Sequence, residues 1–340
     1  MKKLLKLIAL ISLGAILLGG VVFLCGFIAA GGSFKEMTAT TLNYKTHTAA
    51  ELPTDVAVKL AATDLEIVFD ENATGVTVKY PETETTARGK MLRSITLTEG
   101  SGKITLTEKT NFLSHILFFA YSYDKKVTIT LPKESDINLN LSTNTGYITI
   151  KGEGRVKNLT LKTDTGDISA KDAVITADTA DFEVDTGKVS VGTLNATALK
   201  AETDTGDLSF SKINVTFFEA ETDTGDLRFG DATVSGTMKV SVDTGEIYLT
   251  GRLTAANVII DMDTGDVRMK DGVVDADKIT VETDTGDVFM TLSGVVTDYS
   301  VITHSDTGDS NLKGNFGGSR EVRVTTDTGD IRIYFEQQNP

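Results

Sequence analysis

The stretch Ala201-Glu202-Thr203-Asp204-Thr205-Gly206-Asp207-Leu208-Ser209-Phe210 decides the fold. Leu199, Ala201 and Thr203 fall on alternate positions before the phrase Asp-Thr-Gly, and Leu208 and Phe210 on alternate positions after it. That is the period of a half-buried β-strand, and helical spacing fits it poorly. Polar Lys200 and Glu202 stand between the inward positions.

Working outward, the phrase recurs along the chain. It begins as Asn144-Thr145-Gly146 and continues as Asp-Thr-Gly from Asp164, Asp185, Asp204, Asp223, Asp243, Asp263, Asp284, Asp306 and Asp327, at intervals of 19 to 22 residues. The same alternation flanks the other copies: Val258, Ile260 and Met262, Val322, Val324 and Thr326, then Ile247 and Leu249, Val288 and Met290, with Ser310 the main polar departure. A fixed period of this length marks a solenoid in which each unit stacks on the one before. The expected unit is two short strands joined by the Asp-Thr-Gly turn and closed by a loop that absorbs the variation in length. No Pro lies between Lys133 and Asn339 to remove a donor from the ladder between coils. The fold class is therefore all-β, a β-solenoid of about twenty residues per coil, right-handed by the crossover rule. Ten coils at ~4.8 Å predict a rod roughly 48 Å long.

The glycines Gly166, Gly187, Gly206, Gly225, Gly245, Gly265, Gly286, Gly308 and Gly329 are structural turn residues. Each supplies positive φ at little cost, and the Asp two residues earlier can accept a backbone amide. Where the Thr before the Asp is replaced, Val184, Val242, Met262 and Ser305 take its place. That position is inward, so Thr-x-Thr does not make the flat threonine face of an ice-binding protein.

Eight copies carry a second acid after the Gly: Asp167, Asp207, Asp226, Glu246, Asp266, Asp287, Asp309 and Asp330. Stacking aligns these into a column beside the column of turn aspartates, and carboxylates ~4.8 Å apart repel by about 0.9 kcal/mol in water. Two readings are open. The face is simply solvated, relieved by Arg228, Arg268 and Arg332 on the following strands, or acids of neighbouring coils share Ca²⁺, which takes several flexible oxygen ligands. The candidate ligands are Asp204, Asp207, Asp223, Asp226, Asp263, Asp266, Asp284 and Asp287. Beyond that possible Ca²⁺, no cofactor is expected to be required, and the nine-residue Gly-rich repeat of calcium-binding β-rolls is missing.

Three segments divide the chain. Residues 1–32 form an N-terminal anchor: Lys2, Lys3 and Lys6 precede Leu7 to Ala30, 24 uncharged residues that span ~36 Å as a helix. This is long for a signal peptide, although Ala29, Ala30 and Gly31 could be cut. The lysines predict a cytoplasmic N-terminus and an extracytoplasmic remainder, a single-pass protein of the cell membrane. Cys25, the one cysteine, reads as an apolar residue of the span, since Leu24 stands where a lipoprotein signal has Gly, Ala or Ser. Disulfides and metal–thiolate chemistry are thereby excluded outside it.

Residues 33–136 lack the phrase but keep strand patterns, such as Leu65-Glu66-Ile67-Val68, Ile95-Thr96-Leu97-Thr98 and Val127-Thr128-Ile129-Thr130. They are expected to be an irregular β cap and the first coils, because an open solenoid end recruits other chains. Ile116 to Tyr121 is the most apolar run outside the anchor, suited to a buried strand, a capping loop or membrane contact. Residues 137–340 are the repeat solenoid, with Tyr334 and Phe335 placed to close its last coil.

The net charge is −15, and the three N-terminal lysines leave −18 on the rest. With no basic patch, nucleic acid is excluded as a partner. An acid pair for polysaccharide cleavage should depart from the repeat at one coil, and here the acids recur at every coil. His47, His115 and His304 lie in unrelated segments with no metal-ligand spacing. No nucleophile elbow or phosphate loop is present, so the chain reads as a non-enzyme.

Leu65-Glu66-Ile67, Val127-Thr128-Ile129-Thr130-Leu131-Pro132 and the Gly-Asp-apolar phrases Gly166-Asp167-Ile168 and Gly329-Asp330-Ile331 resemble a bacterial putative-adhesin family of β-strand-repeat domains of unknown function, which includes LiaG-like proteins of envelope-stress operons. The resemblance covers roughly residues 50 to 335 and implies the β-repeat fold without any catalytic residues to carry over. Together these readings predict a membrane-anchored, extracytoplasmic binding or scaffolding protein of the bacterial envelope. Its expected partners are the membrane and a cell-wall polymer or another envelope protein. The alternatives are an accessory of envelope-stress sensing and, less favoured, a polysaccharide-active β-helix enzyme.

Overall fold

Alternation along the phrase is the alternation of burial in three dimensions. In the strand Leu208–Thr224, the residues Leu208, Phe210, Ile213, Val215, Phe218, Ala220 and Thr222 point inward, and the residues between them face outward. A computed structural model describes residues 2–29, 32, 40–86, 89, 91–111, 125–312, 314 and 317–337. It is an all-β solenoid of about nine turns with a spacing of about 21 residues, preceded by a helix over Lys2–Ala29.

Successive coils pair in parallel and in register, as Leu199↔Phe218, Ala201↔Ala220 and Thr205↔Thr224 show. Like residues therefore stack on like. The core is a continuous apolar column, in which Phe210, Phe218 and Phe229 meet with ring centroids 5.3 to 5.8 Å apart.

In several central coils the closing loop expected from the sequence is absent, while the coil after Val288–Leu292 keeps one with a short turn over Val296–Asp298. Strands such as Ile168–Thr186 and Val267–Thr285 run on through the corners, where two adjacent residues face outward before alternation resumes. The variation in repeat length goes into register shifts instead, for example between Val215 and Phe218 and between Met269 and Val274. A bulge takes up one extra residue at less cost to the ladder than a loop.

Coil order departs from sequence order at both ends. The strands Asp55–Leu60 and Asp64–Asp70 form a full coil that stacks on Asn138–Thr145 and Ile148–Arg155. On its other side lie Lys103–Thr110 and Lys126–Pro132, so the chain leaves this coil, builds the one outside it, then crosses back. The outermost layer is antiparallel: Thr77–Thr86 pairs with Thr40–Thr48, with Met91–Gly100 and with the strand Lys126–Pro132.

At the far end the coil of Asp327 lies between those of Asp284 and Asp306. Lys278–Thr285 pairs with Glu321–Thr328, and that strand in turn with Tyr299–Thr307. Strict sequential stacking was the expectation; the return strand is instead inserted under the coil that precedes it. This explains Ser310. It belongs to the terminal coil, whose inward positions meet no further coil, and its hydroxyl pairs with that of Thr303 at 2.9 Å.

Candidate functional site

The Asp-Thr-Gly corners line up along one edge of the solenoid. Each Gly amide donates to the Thr carbonyl of the next coil, as Gly206 N to Thr224 O at 2.8 Å and Gly225 N to Thr244 O at 2.9 Å. Positive φ is part of the reason for glycine, with φ of 150° at Gly206 and 155° at Gly225. The stricter reason is contact: a Cβ on Gly225 would lie 1.8 Å from the carbonyl oxygen of Gly206. Glycine stacks on glycine, and no side chain fits between.

The buried threonine ahead of the turn completes the corner. Thr163 and Thr326 donate their hydroxyls to the Gly146 and Gly286 carbonyls at 3.2 Å, and Thr203 to Gly187 O at 3.4 Å. Thr203 is 1% exposed, so the inward assignment that removes an ice-binding face holds.

Amide bonding expected of the turn aspartates falls instead to the second acids. Asp207 accepts from the Asp226 amide at 3.2 Å, Asp226 from Glu246 at 3.0 Å, Asp266 from Asp287 at 2.8 Å and Asp287 from Asp330 at 2.7 Å. A carboxylate just past the turn reaches the next coil's amide, whereas the turn Asp projects outward at the corner. The other oxygens meet cations. Arg228 binds Asp226 at 2.7 Å, Arg268 binds Asp266 at 2.6 Å and Glu246 at 3.1 Å, and Arg332 binds Asp330 at 2.8 Å. Lys188 takes an acid's place in its coil and pairs with Asp207 at 2.6 Å. Burial works against the Asp207 carboxylate, yet Lys188 and the Asp226 amide hold its pKa below the ordinary value.

The eight calcium candidates thus separate into two kinds. Asp207, Asp226, Asp266 and Asp287 are committed to amides, while Asp204, Asp223, Asp263 and Asp284 are exposed on the corner. Among the described residues, no group of three His, Cys, Asp or Glu side chains converges to hold a metal ion. The four second acids already accept N–H groups, which leaves mainly the exposed turn aspartates for Ca²⁺, an ion that needs several oxygens free on one side.

The histidines stay apart. His47 pairs with Glu99 and His304 with Asp306, each at 2.8 Å, and His115 and the run Ile116 to Tyr121 lie outside the described residues. Cys25 is exposed on the helix, whose stretch Ile11–Ile28 has a mean hydropathy of 2.5 and is long and apolar enough to cross a membrane. Phe335 packs against the core, its ring 5.7 Å from that of Tyr299, while Tyr334 points outward.

Sequence reasoning missed the two charged networks at the ends. In the cap, Glu108 accepts the amides of Ala61 and Ala62 at 2.7 and 3.0 Å and the Thr63 hydroxyl at 3.0 Å. These residues are the turn of the Asp55–Asp70 coil, with Thr63 where other coils have glycine. Arg93, Lys125 and Glu84 surround Glu108, all four buried, with charge separations of 3.6 to 3.9 Å. Burial pulls the Lys125 pKa down. At the far end, Arg320 donates to Ala276 O at 3.0 Å and to Ser293 Oγ at 2.8 Å, and it pairs with Asp275. Its guanidinium also lies 4.8 Å from the centre of the Tyr299 ring.

Residues 54–252 and 237–340 match the family described as Toastrack DUF4097. The chain belongs to that family. The resemblance drawn from the strand phrases is therefore borne out, and the Toastrack fold is the solenoid seen here. No curated protein matches the chain. Among solved structures, a putative adhesin from Bacteroides fragilis NCTC 9343 is 12% identical, covering 73% of this chain and 98% of its own, with a TM-score of 0.40. A putative adhesin from Parabacteroides merdae ATCC 43184 is also 12% identical over 69% of this chain and 96% of its own, at a TM-score of 0.40. A putative cell adhesion protein from Clostridium sporogenes ATCC 15579 is 12% identical over 87% of this chain and 100% of its own, at a TM-score of 0.18.

Proposed function

We infer that this Toastrack chain is a non-catalytic binding or scaffolding protein of adhesin type, held in the membrane by its N-terminal helix with the solenoid outside the cytoplasm. One observation carries the reading. The second acids and the buried threonine hydroxyls of the corner column are engaged in joining one coil to the next, through amide, guanidinium and carbonyl partners. What remains for other molecules is a long, regular outer surface on a rigid stack, which suits presentation and attachment better than turnover. The uncharged helix at the start of the chain and the lysines before it support an anchor with a cytoplasmic N-terminus.

The full chain in nanodiscs, incubated with purified cell-wall material, is expected to sediment with it while empty nanodiscs do not. Equal recovery of both would overturn the binding reading. Protease added to intact cells should remove the solenoid and leave the helix; full protection would overturn the orientation.

A further inference from the structure

The outer surface of four successive coils holds a cleft of about 440 Å³ lined by Thr179, Asp181, Ala198, Lys200, Phe217 and Lys239 among others. That volume falls within the range of about 300–1,000 Å³ usual for small-molecule sites. Phe217 is 55% exposed, an unusual place for a large aromatic ring beside a core that already holds three phenylalanines. It stands at the bulge between coils, where a Cβ on Gly236 would come within 3.3 Å of its ring. On its other side the register neighbour is small Ala198, and beyond that Thr179. Small neighbours on both sides leave the ring standing as a wall.

Asp181 faces the same cleft two coils away. The charged groups around it are paired with one another: Lys200 with Glu202 at 2.6 Å, Lys239 with Glu219 at 3.0 Å, and Lys162 with Glu183. Asp181 has no hydrogen-bond partner among the described residues, and burial raises its pKa although Lys162 and Lys200 oppose the shift. A perturbed carboxylate in a largely apolar cleft is an acceptor awaiting a donor.

The lining also narrows the chemistry of the occupant. Asp181 and Glu219 balance Lys200 and Lys239, so the lining has no net charge to select an ion and suits a neutral ligand, and the chain's charge of −15 further repels a polyanion. Backbone groups at Thr179 and Ala198 lie within the parallel ladder and Phe217 is paired on its Ala198 side, which leaves a peptide strand no open sheet edge here. What the cleft offers is an aromatic face, a free carboxylate and flanking ammonium groups. An apolar C–H face with hydroxyl donors around its rim matches that set.

We propose that this cleft binds one ring of a neutral hexopyranose chain, with Phe217 against the C–H face of the sugar and Asp181 accepting hydrogen bonds from its hydroxyls. The site names a ligand class for the binding reading above and rests on it, since a surface glycan must be able to reach the solenoid.

The test is calorimetric titration of the full chain in nanodiscs with cellotetraose, N-acetylchitotetraose and mannotetraose. At least one should bind the unaltered chain. Phe217→Ala should weaken it roughly tenfold, and Asp181→Asn by a smaller factor. Tyr334→Ala, which removes an exposed aromatic elsewhere, should leave it unchanged. An unshifted thermal midpoint shows that each variant is folded. If none of the three sugars binds at millimolar concentration, or if Phe217→Ala binds as well as the unaltered chain, the proposal falls. A protein partner captured through Phe217 while all three sugars fail would assign the cleft to that protein. Retention on wall material that survives Phe217→Ala would sink this subsite while leaving the adhesin-type reading intact.

Discussion

The two ends of the solenoid solve one problem with different chemistry. Each must stop a stack whose every coil expects a neighbour, and each does so by placing coils out of sequence order. At the N-terminal end, an antiparallel layer covers a buried quartet of Glu84, Arg93, Glu108 and Lys125. The Glu84 Oε2 and Arg93 Nε atoms of that quartet make no hydrogen bond. At the distal end the charges are better satisfied: Arg320 donates to a carbonyl and a hydroxyl and also pairs with Asp275. The difference follows from what each network replaces. Glu108 completes a corner that lacks the Asp-Thr-Gly phrase, accepting two amides that would otherwise be orphaned in the interior. Arg320 only fixes where the returning strand enters the stack. Buried charge is expensive to strip of one partner, whereas a half-exposed network can borrow water.

Substitutions can break this comparison or sharpen it. The largest effect is expected between the ends, at Gly225→Ala, where a Cβ would strike the Gly206 carbonyl in a backbone of positive φ. It should cost more than about 4 kcal/mol and unfold the stack cooperatively in a thermal melt. A loss under about 1 kcal/mol would show that the corner can relax.

Glu108→Ala comes next, at about 3–5 kcal/mol, because it leaves two amides, a hydroxyl and two buried cations without their acceptor. Hydrogen exchange should quicken first at Ala61 and Ala62, with the distal coils still protected. Arg320→Ala should cost less, about 2 kcal/mol, and quicken exchange at Tyr299–Thr307 and Glu321–Thr328 instead. Equal losses at the two sites would erase the distinction drawn between them.

Titration should separate the ends by pH window, with stability rising with pH in both. Burial opposes ionisation of Asp275, but Arg320 and Ser293 hold its pKa below the ordinary value. The unfolded chain therefore takes up its proton first as pH falls. This part of the distal end's stability is present above pH ~4 and lost as pH drops through the lowered value. Lys125 acts with the same sign in an alkaline window: its folded pKa lies below 10.5, so the unfolded chain binds more protons between the two values and the cap gains stability as pH rises there. Exchange rates at the two ends, followed from pH 3 to pH 10, check both signs. The smallest effect is expected from calcium. Millimolar Ca²⁺ should raise the thermal midpoint no more than NaCl of matched ionic strength, since the second acids are already occupied. A larger rise would restore the ion-bridging reading.

How much was legible depended on whether a residue's partner is its own counterpart in the next repeat. Thr203 inward, Gly225 invariant and Arg228 beside the acid column all follow from a period of about twenty, because stacking makes equivalent residues neighbours. The hydrogen-bonding role of the second acid had no separate signal, since Asp204 and Asp207 look alike in the phrase and differ only in which one reaches the next coil's amide.

Local alternation and the repeated phrase were enough to determine an all-β stack, its inner and outer faces, the row of glycines and the apolar helix ahead of it. Those features rest on interactions that every coil repeats, so one short stretch encodes them. Only the tertiary structure decided which coil lies outermost at each end, how Glu108 and Arg320 close those ends, and that Phe217 and Asp181 border one cleft. The ends depend on residues brought together once, such as Asp287 and Asp330 43 positions apart or Arg320 and Asp275 45 apart, through strands placed out of order, and the cleft depends on the bulge between Val215 and Phe218. A repeat specifies its neighbours by resemblance; its ends have nothing to resemble and are settled by which strand packs there with its polar groups satisfied.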